Sequence, residues 1–229
     1  MPQAAARKVS EATVARLPTY LRRLVDLAAA ESATVSSDHL AELANVNPAT
    51  LRRDLASFGI TGTRGVGYDV KYLVYELSVV LGLNQEWPVV MVGVGNLGRA
   101  LANYDGLGSR GFPVRALLDV DPSVVGELVA GLVVEHIDDA ATVVEKENLA
   151  VAVIATPPLA AQEAADRMIA AGITSLLNFT VVALEVPESV EVRRVDLATE
   201  LQILSFYQQR SSAARAGSGV PLDREMLTT

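Results

Sequence analysis

Gly93-Val94-Gly95-Asn96-Leu97-Gly98 places glycines at the first, third and sixth positions of a six-residue stretch. An apolar segment of strand character, residues 89–92, precedes it, and a helical run, residues 99–104, follows it. In this setting the first glycine allows a tight turn, the second lets the backbone approach a pyrophosphate, and the third lets the helix pack closely on the sheet. The backbone N–H groups of Asn96 and Leu97 would then face the phosphates. The stretch therefore predicts a Rossmann domain in which all six residues contact a dinucleotide.

Two further features lie where such a site needs them. Asp119 ends the second predicted strand, about 20 residues after Gly98, where an acid hydrogen-bonds the ribose hydroxyls of a nucleotide. Its charge would repel a 2′-phosphate, so NAD(H) is favoured over NADP(H). Thr156 and Pro157 follow a later strand, at a carboxyl-end loop of the kind that binds cofactors. A glycine turn without a ligand, a solvated Asp119 and a simple proline turn remain the alternative interpretations.

The pattern after residue 88 alternates between strands and helices, which is typical of a doubly wound parallel sheet. Half of the residues are hydrophobic and only 5% are aromatic, a composition that suits buried parallel strands. The predicted fold class is therefore α/β, with an N-terminal winged helix-turn-helix domain followed by a Rossmann doubly wound parallel sheet. The predicted strands are 89–93, 114–118, 132–136, 150–155, 174–179 and 190–195.

The sequence predicts four parts. Residues 1–84 form a winged-helix DNA-binding domain that begins with a flexible basic arm over residues 1–8, and residues 85–196 form a Rossmann NAD(H)-binding domain. Residues 197–211 form a C-terminal dimerisation helix, and residues 212–229, rich in Ala, Gly and Ser, form a disordered tail. The last helix carries large apolar residues that need burial, and a short Rossmann domain has limited room for them.

The acidity of the chain is confined to its second part. Residues 1–84 contain 9 Lys/Arg and 8 Asp/Glu, whereas residues 85–229 contain 10 and 19, and the net charge is −8. An acidic chain can therefore still bind nucleic acid through its first part. The absence of cysteine excludes disulfides, thiolate metal sites and thiol catalysis, and no metal is expected. With no apolar run of 18 residues and no apolar leader, we expect a cytoplasmic protein without a membrane contact.

Helical spacing within the first part predicts a helix-turn-helix. A first helix is expected from Pro18 to about residue 30, with Pro18 in its first turn, and a third helix over Pro48–Phe58. The third helix has the charged outer side of a recognition helix for a major groove. Residues 60–68 predict a hairpin wing suited to a minor groove. An ordinary helical bundle with a solvated charged face is the alternative interpretation. The predicted DNA-binding residues are Thr50, Arg52, Arg53, Ser57, Arg64, Gly65, Tyr68 and Lys71.

No catalytic constellation stands out in the sequence. The two histidines, His39 and His136, join no acid/base pair with a nucleophile and are interpreted as solvated or structural residues. The second part is nearly all used by the Rossmann unit, which leaves little room for the substrate domain and the general acid/base of a dehydrogenase. The sequence therefore predicts a ligand-responsive DNA-binding protein and not an enzyme.

In the order and spacing of its motifs, the chain resembles the Rex family of bacterial redox-sensing transcriptional repressors over about residues 14–210. Many members of that family have lysine at the position of Arg53. This chain keeps the positive charge there, but the planar guanidinium of arginine makes different contacts from the compact ammonium of lysine. The motifs that carry the resemblance are RLPTYLR (16–22), LRRDL (51–55), RGVGY (64–68), GVGNLG (93–98), LLDVDP (117–122), Asn178-Phe179 and VDL (195–197).

The resemblance implies a homodimer with N-terminal winged helices, C-terminal Rossmann domains and a final helix swapped into the partner subunit. It implies binding to a palindromic operator in double-stranded DNA when NADH is low and release when NADH binds, while NAD+ competes without forcing release. It also implies that Asn178 contacts the cofactor and that Arg16, Tyr104 and Asp196 form a network near the nicotinamide, with Asp196 reaching from the partner. Taken alone, these three residues would be a surface helix charge, a helix-end aromatic and an N-cap.

Two other functions remain open on the residues. One is an NAD-dependent dehydrogenase with an N-terminal helical extension, and the other is a CoA-binding module, because related Rossmann turns hold CoA. Asp119 suits a ribose diol and fits the 3′-phosphate of CoA poorly, and the small second part weighs against the dehydrogenase. A repressor of this kind needs two states, and NADH must bind the DNA-incompetent state better than the competent one.

Overall fold

The computed structural model describes residues 9–217 and divides the chain into two compact units, one up to Glu86 and one from Trp87. The predicted basic arm over residues 1–8 lies outside the described residues. The elements of the first unit are α1 (Glu11–Ala29), β1 (Thr34–Val35), α2 (Ser37–Leu43), α3 (Pro48–Ser57), β2 (Tyr68–Asp69) and α4 (Val70–Val80).

Helix α1 begins well before Pro18, so the predicted start is wrong. Ser10 caps the helix instead, because its side chain accepts a hydrogen bond from the N–H of Thr13. A proline inside a helix removes one backbone hydrogen bond, at a cost of about 3 kcal/mol. The helix continues through Pro18 because its inner face, which includes Leu17 and Tyr20, is completely buried in the core of the unit.

The predicted hairpin over residues 60–68 is shorter than expected. Within it only Thr63 and Gly67 form a bridge, whereas β2 pairs antiparallel with β1. Gly67 has φ +98°, and a side chain there would overlap the backbone oxygen of Val35. The wing therefore closes directly onto β1 and requires glycine at this position. Because β1 has only two residues, it shows no alternating pattern, and the sequence did not predict it.

The second unit contains the six predicted strands, with ends that differ from the prediction by one residue at most, and one further short strand. The strands are β3 (Val89–Val92), β4 (Val114–Asp119), β5 (Leu128–Val129), β6 (Leu132–His136), β7 (Val151–Ile154), β8 (Ser175–Asn178) and β9 (Glu191–Arg194). The helices are α5 (Asn96–Ala102), α6 (Asp105–Gly108), α7 (Ala140–Glu147), α8 (Ala161–Ala170) and α9 (Leu197–Gly217).

The strands form one sheet in the order β5-β6-β4-β3-β7-β8-β9, in which all neighbours are parallel except β5 and β6. One face, which includes Val90 and Ile154, packs with Val143 of α7 and Met168 of α8. Strand β3 lies in the middle of the sheet, with β4 as its neighbour on one side and β7 as its neighbour on the other. The carboxyl ends of β3 and β7 therefore form the crevice at which open α/β sheets bind ligands.

Helix α9 extends past its predicted end at residue 211. Residues 212–217, predicted to belong to a disordered tail, are helical, and this part of the prediction is wrong. The reason is local, because three of these six residues are alanine, the best helix former, and the helix ends at glycine. The rest of the predicted tail, residues 218–229, lies outside the described residues.

Candidate nucleotide site and nucleic-acid interface

Two glycines of the Gly93–Gly98 turn are required by the packing of the turn, and the third faces open space. Gly93 has φ +91°, and an added Cβ would lie 2.8 Å from the backbone of Ala155. A Cβ at Gly98 would overlap the backbone oxygen of Gly93, so the helix reaches the strand only with glycine there. A Cβ at Gly95 would meet nothing within 4 Å. The space in front of Gly95 is therefore open to a ligand, and α5 begins directly behind it at Asn96.

Asp119 supports the same turn. Its Oδ2 accepts a hydrogen bond from the N–H of Val94 at 2.7 Å, and its Oδ1 accepts hydrogen bonds from Val120 at 2.7 Å and Asp121 at 3.0 Å. A carboxylate offers about four acceptor positions, so about one remains for a ribose hydroxyl. The sequence predicted Asp119 as a ribose contact but gave no sign that its carboxylate also ties β4 to the glycine turn.

A cleft of about 610 Å³ opens at the carboxyl edge of the sheet, and it brings several predicted residues together. Among the described residues, the buried hydroxyl oxygen of Thr156 has no hydrogen-bond partner, although Thr156 lines this open space. A buried polar group without a partner is costly and points to a missing ligand or water. The predicted residues that line the cleft are Gly93, Gly95, Leu97, Asp119, Thr156 and Pro157.

Asn178, predicted as a cofactor contact, is not among the residues that line the cleft. Its side chain is buried, its Oδ1 accepts a hydrogen bond from the N–H of Thr180 at 2.8 Å, and its Nδ2 donates to the carbonyl of Val182 at 2.8 Å. The amide therefore shapes the loop that follows β8. Val94 is likewise completely buried and contributes its backbone N–H to Asp119.

Arg167 is a residue of the cleft that the sequence did not reveal. It lies on α8, donates from Nη2 to Glu163 at 2.9 Å, and donates from Nη1 to Asp138 on the short helix after β6. The hydrogen bond with Glu163, followed by that with Asp138, raises the pKa of Arg167 above its usual value. Asp138 and Arg167 are far apart in sequence, so no local pattern indicates that they meet.

The first unit has an exposed cationic face. Arg52 of α3 donates to the hydroxyl of Ser37 at 2.9 Å and lies 3.6 Å from a carboxylate oxygen of Asp38. Together with Arg64 and Gly65 of the wing, these residues border a cleft of about 370 Å³. Arg53 and Lys71 are also exposed but do not border it, and Thr50 is partly buried.

Two of the predicted DNA-binding residues have structural roles in the described residues. Tyr68 is only 7% exposed and packs in the core of the first unit, where burial raises the pKa of its hydroxyl, although it also borders the cleft beside Arg52 and Arg64. The alternation of a two-residue strand turns it inward, which the glycine-rich sequence around it did not predict. Ser57 donates its hydroxyl to the carbonyl of Asp54 at 2.6 Å, so the hydroxyl hydrogen is used within α3.

Asp54, between Arg53 and Leu55 on α3, is the centre of a buried polar network. Arg16 donates to it twice, from Nε at 2.6 Å and from Nη2 at 2.8 Å. Tyr20 donates its hydroxyl at 2.8 Å and Thr13 donates at 3.1 Å. Burial works to raise the pKa of Asp54, but these hydrogen bonds outweigh burial and hold the pKa below its usual value. Burial, followed by the bond to Asp54, raises the pKa of Tyr20 to about 12.

The other two residues of the implied nicotinamide network lie in the second unit. Tyr104 is 51% exposed, and its ring covers Gly106, where any side chain would overlap it. Asp196 caps α9, because it accepts hydrogen bonds from the N–H of Ala198 at 3.0 Å and from the hydroxyl of Thr199 at 3.0 Å. The bond with Thr199 lowers the pKa of Asp196. Their grouping with Arg16 at a nicotinamide stays a prediction.

The described part of the chain has neither a membrane-spanning helix nor a cluster of metal ligands. Residues 9–217 contain no helix that is both long and apolar enough to cross a membrane. Over the same part of the chain, no group of three His, Asp or Glu residues is placed to hold a metal ion. His136 accepts a hydrogen bond on Nδ1 from the N–H of Asp138 at 3.2 Å, and His39 lies 3.9 Å from Glu42.

Comparison with known proteins assigns the chain to a family. Residues 84–182 match the family model described as CoA binding domain, and residues 8–56 match the model described as putative DNA-binding protein N-terminus. The redox-sensing transcriptional repressor Rex of Streptomyces coelicolor is 54% identical over 217 residues, which cover 95% of this chain and 84% of that protein. The chain belongs to the Rex family. The Thermus thermophilus Rex repressor is 48% identical over 199 residues, which cover 87% of this chain and 93% of that one.

Solved Rex-family structures agree with the fold. The crystal structure of RSP, a Rex-family repressor, matches with a TM-score of 0.84 and 30% identity, and covers 92% of this chain and 99% of RSP. RSP in complex with NAD+ and operator DNA matches with a TM-score of 0.83 and 30% identity, and covers 93% and 99%. The predicted winged helix followed by a Rossmann domain is thus confirmed. The Rex family is one of transcriptional repressors and not of enzymes, so the dehydrogenase alternative is wrong.

Proposed function

We propose that the chain is a repressor that binds a palindromic operator when NADH is scarce and leaves it when NADH fills the cleft beside the Gly93–Gly98 turn. The observation that supports this function is that one chain combines two features. One is a winged helix with exposed arginines, and the other is a Rossmann cleft that contains the buried, unpartnered hydroxyl of Thr156. The relative RSP has been crystallised with NADH and with NAD+ and operator DNA, which supports the same two ligands here.

The residues of the cleft fit NAD(H). Gly95 leaves the space that a pyrophosphate needs, and the first N–H groups of α5 have no partner in the preceding turn. Asp119 keeps about one acceptor position for the ribose, and the hydroxyl of Thr156 is free to bond a second part of the ligand. A 3′-phosphate of CoA would meet the Asp119 carboxylate, which disfavours the CoA-binding alternative.

The switch requires that NADH prefers one of two states. Each tenfold difference in NADH affinity between the DNA-free and DNA-bound states corresponds to about 1.4 kcal/mol of coupling. A shift from 99% bound to 1% bound needs a difference of about 10⁴-fold. NAD+ then acts as a competitor, because it occupies the same cleft with a smaller preference.

A palindromic operator requires two copies of the winged helix related by a two-fold axis. Helix α9 is the element proposed to form that dimer, by docking on the partner subunit. Every residue of α9 whose exposure is described, 197–212, is exposed, although six of these residues have large apolar side chains that would be expected inside a core. We also propose that the protein acts in the cytoplasm, where a bacterial repressor binds its operator.

A single titration tests the function. An operator is first selected from random duplexes with the purified protein, and binding is then followed by fluorescence anisotropy while NADH or NAD+ is added. NADH is expected to release the DNA, and NAD+ is expected to right-shift the NADH titration without releasing DNA itself. A protein that binds no duplex, or whose binding ignores NADH, contradicts the proposal.

The first prediction concerns the choice of cofactor. The unmodified protein is expected to bind NADH on the order of 10-fold more tightly than NADPH, because the Asp119 carboxylate and a 2′-phosphate repel each other. Asp119→Asn, which keeps an acceptor oxygen but loses the charge, should narrow that ratio. Asp119→Ala should weaken both cofactors, because it also releases the Val94 N–H from the turn. Isothermal titration measures all six constants, for NADH and NADPH with each of the three proteins, and equal affinities in the unmodified protein would refute the assignment.

The second prediction separates the roles of two arginines. Arg52→Ala should weaken operator binding by about 1–3 kcal/mol and relax specificity at one base pair if Arg52 reads a base. If Arg64 contacts a phosphate, Arg64→Ala should instead weaken binding equally for all DNA sequences. The slope of log affinity against log salt concentration should then be smaller by about one. Arg193→Ala, an exposed arginine on β9, is the matched control and should change neither. Unchanged operator affinity in both Arg52→Ala and Arg64→Ala contradicts the winged-helix interface.

A further inference from the structure

The cleft beside the Gly93–Gly98 turn has a further part that is lined neither by the turn nor by Asp119. If the phosphates of a dinucleotide lie at the turn and its ribose lies at Asp119, the base is left with the remaining lining. Apart from Asp121, Thr156, Glu163 and Arg167, this lining is made of apolar side chains, among them small and branched ones that leave room for a flat ring. They are Val120, Val124, Ile137, Ala160 and Ala164.

Arg167 is the one basic residue among the described residues that line this cleft. Its Nη1 donates to Asp138 and its Nη2 donates to Glu163, so two carboxylates from different elements hold the guanidinium. Hydrogen bonds of a guanidinium lie in its plane, which leaves its two flat faces free for contact. Because both carboxylates already balance its charge, Arg167 is poorly suited to bind a phosphate, but its planar cation is well suited to an aromatic ring.

We propose that Arg167 stacks its guanidinium on the adenine of bound NAD(H) and is the residue that recognises the base. This inference rests on the proposed NAD(H) site. Asp138 and Glu163 act as positioning residues, because they fix the guanidinium plane before the ligand arrives and so reduce the ordering that binding requires. A cation–π contact at a partly desolvated site corresponds to a roughly 3- to 30-fold gain in affinity.

The test compares two substitutions with different consequences. Arg167→Lys keeps the charge and an ion pair with Glu163 or Asp138 but loses the planar face, whereas Arg167→Met keeps the length and loses both. Affinities for NADH and for ADP-ribose, which keeps the adenosine but lacks the nicotinamide, are measured by isothermal titration. Thermal melting without ligand reports the stability of each variant. Arg193→Met is the matched control outside the cleft.

We expect both variants to bind NADH and ADP-ribose about 3- to 30-fold more weakly, while Arg167→Lys melts close to the unmodified protein. If Arg167→Lys binds both ligands as tightly as the unmodified protein, the charge or the ion pairs of residue 167 are sufficient and the stacking proposal is wrong. If Arg167→Met also binds both ligands as tightly as the unmodified protein, Arg167 makes no contribution to cofactor binding. If the unmodified protein binds neither ligand, the proposed function itself fails, which is a different result from a variant that binds as well as its parent.

Discussion

Replacing Asp54 with alanine is expected to lower the free energy of unfolding by about 3–5 kcal/mol. The substitution removes the carboxylate that accepts from Arg16, Tyr20 and Thr13 in the described residues, and it leaves the buried donors of Tyr20 and Thr13 and the half-buried guanidinium of Arg16 without this acceptor. Asp54 itself is 2% exposed, so water cannot replace it without opening the contact between α1 and α3. Urea denaturation followed by far-UV circular dichroism measures the loss, and operator binding should fall with it because α3 is the proposed recognition helix.

Tyr20→Phe is the matched control, since it removes one donor and keeps the packing of the ring. It should cost about 1 kcal/mol, clearly less than the loss of the shared acceptor. A change below about 0.5 kcal/mol in Asp54→Ala would mean that the network does not hold the two helices together.

The same network predicts how stability depends on pH. Because the pKa of Asp54 is lowered in the folded chain, the stability that it contributes is present above its unfolded pKa of about 4 and is lost as the pH falls through the folded value. The difference between the unmodified protein and Asp54→Ala should therefore shrink in acid. For Tyr20 the folded pKa is about 12, raised from 10.0, so its contribution is complete below pH 10 and is lost as the pH rises toward 12.

The sequence predicted the glycine turn and Asp119 because their roles are local. A glycine that leaves a strand with positive φ, or that meets another backbone, shows itself in spacing alone, as Gly93 and Gly98 do. The six strands were found for a similar reason, since buried parallel strands are continuous apolar runs. These features need no knowledge of which distant segments meet.

The side-chain roles that the sequence did not reveal mostly depend on contacts between distant segments. Asp54 lies 34 to 41 residues from its partners on α1, and nothing in the LRRDL motif marks its carboxylate as buried. Arg167 and Asp138 are separated by 29 residues and one strand. The burial of most of Tyr68 was not foreseen, because a two-residue strand has too short a pattern to show which face is inside, and its predicted contact with DNA stays a prediction. Such side chains can be assigned only after the topology has brought their elements together.

Deleting residues 197–229 is expected to abolish the dimer and to weaken operator binding by 100-fold or more. In the described chain α9 exposes Leu201 by 65%, Leu204 by 61%, Phe206 by 56% and Tyr207 by 56%. A helix that is apolar on several sides is stable only when it is buried, and the described part of its own chain does not bury it. A partner subunit would do so. Two linked winged helices on a palindrome gain about 10²–10⁴-fold over one, and a monomer loses that gain.

The design of the truncation separates assembly from folding. Deletion of residues 218–229 alone is the matched control, because it leaves α9 intact and should preserve the dimer and operator binding. Sedimentation velocity reports the oligomeric state, and anisotropy with the selected operator reports DNA binding. Circular dichroism should still show the sheet of the second unit, since β3 to β9 and α5 to α8 form their cores without α9. A truncated chain that remains a dimer would show that another surface holds the two subunits, and α9 would then need a different partner.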